Sequence, residues 1–326
     1  MKTKKILQSS VASSRLRRYG KLTIGLALVA NSVINASAAP AITNYTAGDL
    51  LIGFRLPGDS DNLVVNIGPS RNYVQSTTSS SGLWNGALKQ IQFGIVPAGE
   101  PNAGTSVSSL SAALTQAFGS GWATNDAVDP SSDVSWGVAG TTSSTNNETL
   151  NGFQGNTNFV TKAETTRGVR TTIPANTSST LNSNVNAQIA GIGSGFNLKD
   201  STLSSSTARV YSTAEANSWD ANIGTPGLSS FNGAWIAEQD LSGGPTNSIL
   251  DLLLDPKTGS PRTQTPNINQ YIGSFLLTSD GILYYGSAAA VAAIPEPGTI
   301  ILLGLGSLLF AYRVYRKRSS IQSHGL

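Results

Sequence analysis

Short apolar runs separated by Gly, Pro, Asn, Asp and Ser recur along the middle of the chain, a spacing typical of all-β domains. The runs that predict strands are DLLIGFR (49–55), NLVVNIG (62–68), VSWGVAG (134–140), GAWIAEQDL (233–241) and YIGSFLLTSDGILYYG (271–286). The last run predicts a hairpin, because Asp280 and Gly281 suit the left-handed positions of a tight turn. Its consecutive apolar residues at 275–277 indicate that both faces of the hairpin are covered.

Three stretches have a helical pattern, 81–94, 106–119 and 247–256, although the third also fits a strand ended by a proline. In the second, Ser106 or Ser108 is the expected N-cap and Gly119 the expected C-terminal stop. Tracts rich in Ser, Thr and Asn predict exposed loops, because these side chains bond their own backbone. The tracts are STTSSS (76–81), GTTSSTNNET (140–149) and NTSSTLNSN (176–184). The fold expected for residues 39–287 is mainly β: a sandwich or jelly roll with one or two short helices.

Residues 1–38 have the order of a secretory signal peptide. A basic stretch precedes the apolar run Leu22–Ile34, and Ala36 and Ala38 then supply an A-x-A cleavage site. The alternative, an N-terminal membrane anchor, needs a longer apolar run than this one. The expected mature chain therefore begins after Ala38 and is exported through the inner membrane.

A second apolar run lies near the C-terminus. Residues 297–312 carry no charge and would form about 24 Å of helix, against a bilayer core of about 30 Å. Arg313 can extend its side chain to the interface, which lengthens the predicted transmembrane helix to 298–315. The alternative, a buried core helix, conflicts with the basic residues at its end. These residues (Arg313, Arg316, Lys317 and Arg318) predict a cytoplasmic tail at 316–326.

An Ala-rich spacer and a Pro-Glu-Pro triplet occupy residues 288–297, directly before this run. Pro295 and Pro297 cannot donate backbone hydrogen bonds and disfavour helix in the residue before each. The triplet is therefore expected to be an extended, unpaired peptide above the membrane, with Glu296 as its charged group.

The arrangement of Pro295, Glu296 and Pro297, an apolar helix and an Arg-rich tail resembles a PEP-CTERM sorting signal. The resemblance covers about the last thirty residues. It implies that an exosortase, a membrane-embedded transpeptidase-like enzyme of Gram-negative bacteria, removes the tail near the motif. It also implies delivery to the cell surface or an exopolysaccharide matrix. The strand pattern of the body is similar, more weakly, to other surface proteins of this kind.

Charge and composition exclude several functions for the body. Of 21 basic residues, seven precede residue 39 and four follow residue 312, which leaves ten in the body against 17 acids. An acidic body argues against nucleic acid as a partner. The chain has no Cys, and its single histidine, His324, lies in the tail. Thiol and Ser-His-Asp chemistry and Cys- or His-bound metals are therefore not expected, and we predict neither a cofactor nor catalysis.

Three other kinds of chemistry stay open. A glycoside hydrolase needs only two carboxylates, although Glu100, Glu148, Glu164, Glu215 and Glu238 also fit solvated surface acids. Two groups of acids fit ordinary turns and offer calcium ligands only as the lesser alternative: Asp59 and Asp61, and Asp126, Asp129 and Asp133. The tryptophans either stack on sugars or fill a core: Trp84, Trp122, Trp136, Trp219 and Trp235.

The sequence therefore predicts an exported structural or adhesive protein of a Gram-negative surface or matrix. Its expected partners are an exosortase and the membrane. Carbohydrate binding, with extracellular polysaccharide as the partner, is the alternative.

Overall fold

The structure is a computed structural model. It describes residues 44–56, 58–74, 84–93, 107–123, 134–142, 157–164, 167–169, 179–198, 208–223, 230–231, 235–236, 238–240, 249–255, 270–294, 306–307, 309–310 and 312–313.

Antiparallel strands form most of the described body. The strands are β1 (Asp49–Arg55), β2 (Asp61–Pro69), β3 (Lys89–Gln90), β4 (Ser135–Thr141), β5 (Asn158–Ala163), β6 (Ala208–Ser212), β7 (Ser230–Phe231), β8 (Trp235–Ile236), β9 (Glu238–Asp240), β10 (Ile249–Asp255), β11 (Gln270–Leu277) and β12 (Leu283–Gly286). One sheet has the order β3-β12-β11-β10-β5-β4-β1-β2-β6, with β9 paired to β4, and β7 and β8 form a separate pair. The helices are α1 (Ser111–Phe118), α2 (Ser179–Leu198), α3 (Trp219–Ile223) and α4 (Ala288–Ala292), with a 3₁₀ turn at Ser70–Asn72.

The sheet curls, because residues near its two ends are in contact. Tyr73 lies just after β2 and Tyr285 lies in β12, and the centroids of their rings are 5.0 Å apart. The Tyr285 hydroxyl donates a hydrogen bond to the backbone carbonyl of Tyr73 at 2.8 Å. Helix α1 packs on β2, while the amide of Leu110 before it donates to the carbonyl of Gly281 in the β11–β12 turn. One face of the sheet thus encloses the larger core. Its aromatic members are Phe54, Tyr73, Trp84, Phe93, Trp122, Trp136, Phe159, Phe275 and Tyr285.

Helices cover the opposite face. There Leu51 and Val64 belong to a second cluster, in which α2 contributes Val185, Ile189, Ile192 and Phe196, and α3 contributes Trp219. Because both faces are covered, all seven residues of β1 are buried. This explains why the sequence shows continuous apolar runs rather than alternation. The buried Arg55 of β1 forms an ion pair with Asp220 of α3 at 2.8 Å.

The mainly β class and most of the predicted strands are confirmed. Strands at 49–55, 62–68, 134–140 and the hairpin at 271–286 match β1, β2, β4 and β11–β12. Gly281 has the left-handed conformation that the hairpin turn requires, with φ 76°. The stretch at 247–256 is strand β10 rather than a helix, and 233–241 divides into β8 and β9. Apart from the β7–β8 pair, the described strands share one curled sheet, whereas a sandwich or jelly roll has two packed sheets.

Three local predictions are wrong. Residues 81–94 were expected to be helical, but Gly86 has φ 84°, which interrupts a helix, and Lys89 and Gln90 pair with β12 instead. Helix α1 begins at Ser111, after both expected caps, and the hydroxyl of Ser109 accepts from the Ser111 amide at 3.1 Å. The predicted loop at 176–184 overlaps the start of α2. Gly119 does end α1, with φ 83°.

Candidate functional site: the base of the C-terminal segment

Helix α4 joins the body to the C-terminal segment. It starts two residues after β12, and the hydroxyl of Ser287 caps it by accepting from the Ala290 amide. Val291 is fully buried between Ile249 of β10 and Leu276 of β11. The amide of Ala288 donates to the hydroxyl of Tyr271 at 2.8 Å. A short helix of small residues thus packs on β10, β11 and β12.

Arg167 holds the far end of the same helix. Its Nε and Nη2 donate to the carbonyl of Ala292 at 3.2 and 3.1 Å, and Nη2 also donates to the carbonyl of Ile294 at 3.1 Å. Arg167 follows β5, 125 residues before Ala292 in the sequence. A planar guanidinium is suited to binding two acceptors at fixed positions. The clamp therefore forms only when β5 and the C-terminal hairpin are both in place.

Buried carboxyl groups connect the two ends of α4. Glu164 Oε2 accepts from the Gly168 amide at 2.7 Å, next to Arg167. Asp251 Oδ1 accepts from the Ser274 hydroxyl at 2.7 Å, and the Tyr271 hydroxyl lies 2.9 Å from that of Ser274. Glu164 is 8% exposed and Asp251 is fully buried.

The environment of Glu164 favours its neutral form. Burial, and then the hydrogen bond and like charge of Asp251, raise the pKa of Glu164 from 4.5 to about 8, although the Gly168 amide and the Arg167 charge lower it in part. Among the residues that the structure describes, none donates a hydrogen bond to Glu164 Oε1. A hydrogen bond between the two carboxyls therefore requires a shared proton. This network is a structural support for α4, and its two acids lie against each other rather than across a cleft.

Most residues of the predicted sorting and cleavage sites lie outside the described residues. This holds for Ala36, Ala38, Pro295, Glu296, Pro297, Arg316, Lys317 and Arg318. Arg313 is described, is helical and is exposed; nearby Leu309, Phe310 and Tyr312 are 69, 71 and 63% exposed. Within the described residues, no helix combines the length and apolarity needed to cross a bilayer. The predicted span at 298–315 lies mostly outside them.

Four of the five tryptophans belong to the core. Trp84, Trp122, Trp136 and Trp219 are at most 7% exposed, so they do not offer a face to a sugar. The structure does not describe the side chain of Trp235.

Those acids considered for catalysis or calcium that the structure describes do not converge. Asp59 Oδ1 accepts from the Asp61 amide at 3.2 Å, an ordinary turn contact. Glu215 Oε1 accepts from the Ser212 amide at 3.0 Å. Among residues with described positions, no three His, Cys, Asp or Glu come together as metal ligands would. Asp126, Asp129, Asp133, Glu100, Glu148 and the side chain of Glu238 are not described.

A family model of the PEP-CTERM protein-sorting motif matches residues 293–318. The chain carries a PEP-CTERM sorting motif. This motif indicates an exported protein that is addressed to an exosortase. No curated protein and no solved structure matches the chain.

The PEP-CTERM motif and the Arg167 clamp overlap, since Ile294 lies inside the matched segment. Sequence patterns pointed to the motif but not to Arg167, Glu164, Tyr271 or Asp251 as its supports. Only the fold brings these residues together.

Proposed function

We propose that this protein is an exported structural or adhesive component of a Gram-negative cell surface or extracellular matrix. In this proposal a signal peptide at 1–38 directs export, and a helix at 298–315 holds the precursor in the inner membrane. The tail at 316–326 stays in the cytoplasm until an exosortase removes it. Extracellular polysaccharide is the surrounding material rather than a substrate.

The observation that carries the proposal is the PEP-CTERM motif at 293–318, whose Pro-Glu-Pro triplet directly follows Ile294, the last residue with a described contact to the body. The exposed apolar side chains of Leu309, Phe310 and Tyr312 support a membrane segment, because large apolar groups of that exposure need a covering. Arg313 at its end, with three further basic residues after it, supports a cytoplasmic stop.

The absence of catalysis in the proposal rests on composition and on the described acids. The chain has no Cys, and its single His lies beyond the matched motif. Glu164 and Asp251 are buried beneath α4, where they face each other and not solvent. A glycoside hydrolase site instead needs its two carboxyl groups to be accessible and to flank the scissile bond of the sugar.

Replacing Pro295, Glu296 and Pro297 with alanine tests the proposal. We expect the variant to accumulate at full length in the inner membrane, because an alanine stretch favours helix where the motif favours an extended peptide. Intact mass and membrane fractionation in the producing bacterium measure this. Glu296→Gln alone serves as the matched control for the charge of the motif. A triple variant that is trimmed and surface-located like wild type would contradict the proposal.

A further inference from the structure

The described part of the body reaches Ile294, the residue directly before the Pro-Glu-Pro triplet. The last described contact of the body is the hydrogen bond from Arg167 Nη2 to the carbonyl of Ile294. Pro295 follows directly, and the uncharged run begins at residue 297. No slack therefore separates the body from the triplet while α4 remains docked.

We propose that Arg167 is a positioning residue for exosortase processing, because its bonds to the carbonyls of Ala292 and Ile294 make the triplet leave the folded body at one fixed point. This inference rests on the proposed function. The bonds of Arg167 that carry this role go to the backbone just before the triplet. Arg167 acts through the backbone on which the triplet is mounted.

The distances show what the clamp controls. Residues 288–294, once undocked, would add seven residues of slack, up to about 24 Å of extended chain. That freedom would let the body move away from the membrane and would let the triplet take many orientations. The docked arrangement restricts both the distance and the orientation. Pre-organised presentation of an extended peptide lowers the entropy lost when an enzyme binds it.

The clamp also makes presentation conditional on folding. Its donor follows β5 and its acceptors follow β12, so a chain with an unformed sheet cannot close it. A misfolded body should therefore present the triplet less effectively than a folded one. Arg167 would in this way couple export processing to completion of the fold.

Two substitutions at Arg167 test the positioning role in the full chain. Arg167→Ala removes all three bonds, and we expect conversion of precursor to trimmed protein in a pulse-chase to slow about tenfold. Arg167→Lys keeps the charge but lacks the planar fork, so we expect conversion slower than wild type. The exposed Arg71→Ala is the matched control and should convert at the wild-type rate. Melting temperature, measured in parallel, shows whether each body is folded.

A disulfide offers a rescue that bypasses the arginine. A Cβ built on Gly168 lies 3.0 Å from that of Ala292, so in a Gly168→Cys/Ala292→Cys pair the two Cβ atoms must move apart by about 0.5 Å or more to form a disulfide. Gly168 has φ 75°, which makes a cysteine there strained. The chain is otherwise free of Cys, so the pair can join only to each other within the chain. In the Arg167→Ala background we expect the oxidised pair to restore processing and dithiothreitol to abolish the rescue.

The outcomes separate the two proposals. Normal trimming of the Pro295/Glu296/Pro297 triple-alanine variant would refute the proposed function itself. A blocked triple variant together with wild-type conversion of folded Arg167→Ala or Arg167→Lys would overturn the positioning role alone. The positioning role would also be overturned if Arg167→Ala converts slowly and the oxidised cysteine pair does not restore the rate. Arg167 would then contribute to processing by some means other than docking α4.

Discussion

Gly53→Ala should destabilise the body by about 3 kcal/mol or more. A Cβ built on Gly53 lies 1.7 to 2.2 Å from three ring atoms of Trp219, which is far inside contact distance. Trp219 is fully buried at the start of α3, between that helix and the sheet, so its ring has no room to withdraw. Urea unfolding of the full chain in detergent, followed by tryptophan fluorescence, measures the loss.

A double-mutant cycle gives the control for this prediction. Trp219→Ala alone should cost about 3–5 kcal/mol, because it leaves a large cavity. In that background the added cost of Gly53→Ala should fall close to zero, since the ring is absent. Gly306→Ala, where a built Cβ meets nothing within 4 Å, should leave unfolding unchanged. If Gly53→Ala lowers the free energy of unfolding equally in both backgrounds, then Trp219 is not the group that excludes a side chain at position 53.

The stability of the body should fall as pH rises from about 4.5 to about 8, and Glu164→Gln should remove that fall. The pKa of Glu164 is about 8 in the folded protein against an ordinary 4.5, chiefly because of burial. Between these values the folded state holds a proton that the unfolded chain has lost, so unfolding releases a proton and higher pH favours it. Glutamine mimics the neutral acid, since its amide can donate toward Asp251 while its oxygen accepts from Gly168.

Thermal melts at several pH values from 4 to 9 test this expectation. Glu164→Gln should be more stable than wild type at pH 9 and should differ least from it near pH 4. Asp280→Asn, at an exposed acid of the hairpin turn, is the matched control and should retain the wild-type pH dependence. A wild-type curve that stays flat from pH 4.5 to 8, or a variant with the wild-type slope, would contradict the assignment.

The strands were predictable because burial on both faces produces continuous apolar runs. Leu50, Leu51 and Ile52 are all fully buried, with neighbours in opposite clusters. The pairing order was not predictable, since β1 pairs with both β2 and the distant β4, and no local pattern records such contacts. One sheet that curls was therefore indistinguishable in sequence from two packed sheets.

The two errors over helices have opposite physical causes. Trp84, Leu88 and Ile91 have helical spacing, but Gly86 takes a left-handed conformation and the edge of β12 offers backbone partners. Helix α2 was missed because Ser, Thr and Asn dominate its start. Its apolar residues Val185, Ile189, Ile192 and Phe196 nevertheless have the spacing of one helical face.

The sorting motif was readable because it is local, and its supports were not, because they are long-range. Pro295, Glu296 and Pro297 are adjacent, so no fold is needed to recognise them. Arg167 meets Ile294 only through the order of β5, β10 and β11 in the sheet.

The docking of α4 also bears on the life of the finished protein. A chain cut close to the triplet would keep Val291 packed on Ile249 of β10 and Leu276 of β11, and its new carboxyl end would come only a few residues after the docked helix. Exoproteases would then find few residues beyond the docked helix to remove. The contacts of Arg167 and Val291 that we propose to orient the precursor would, after release, protect the product from degradation.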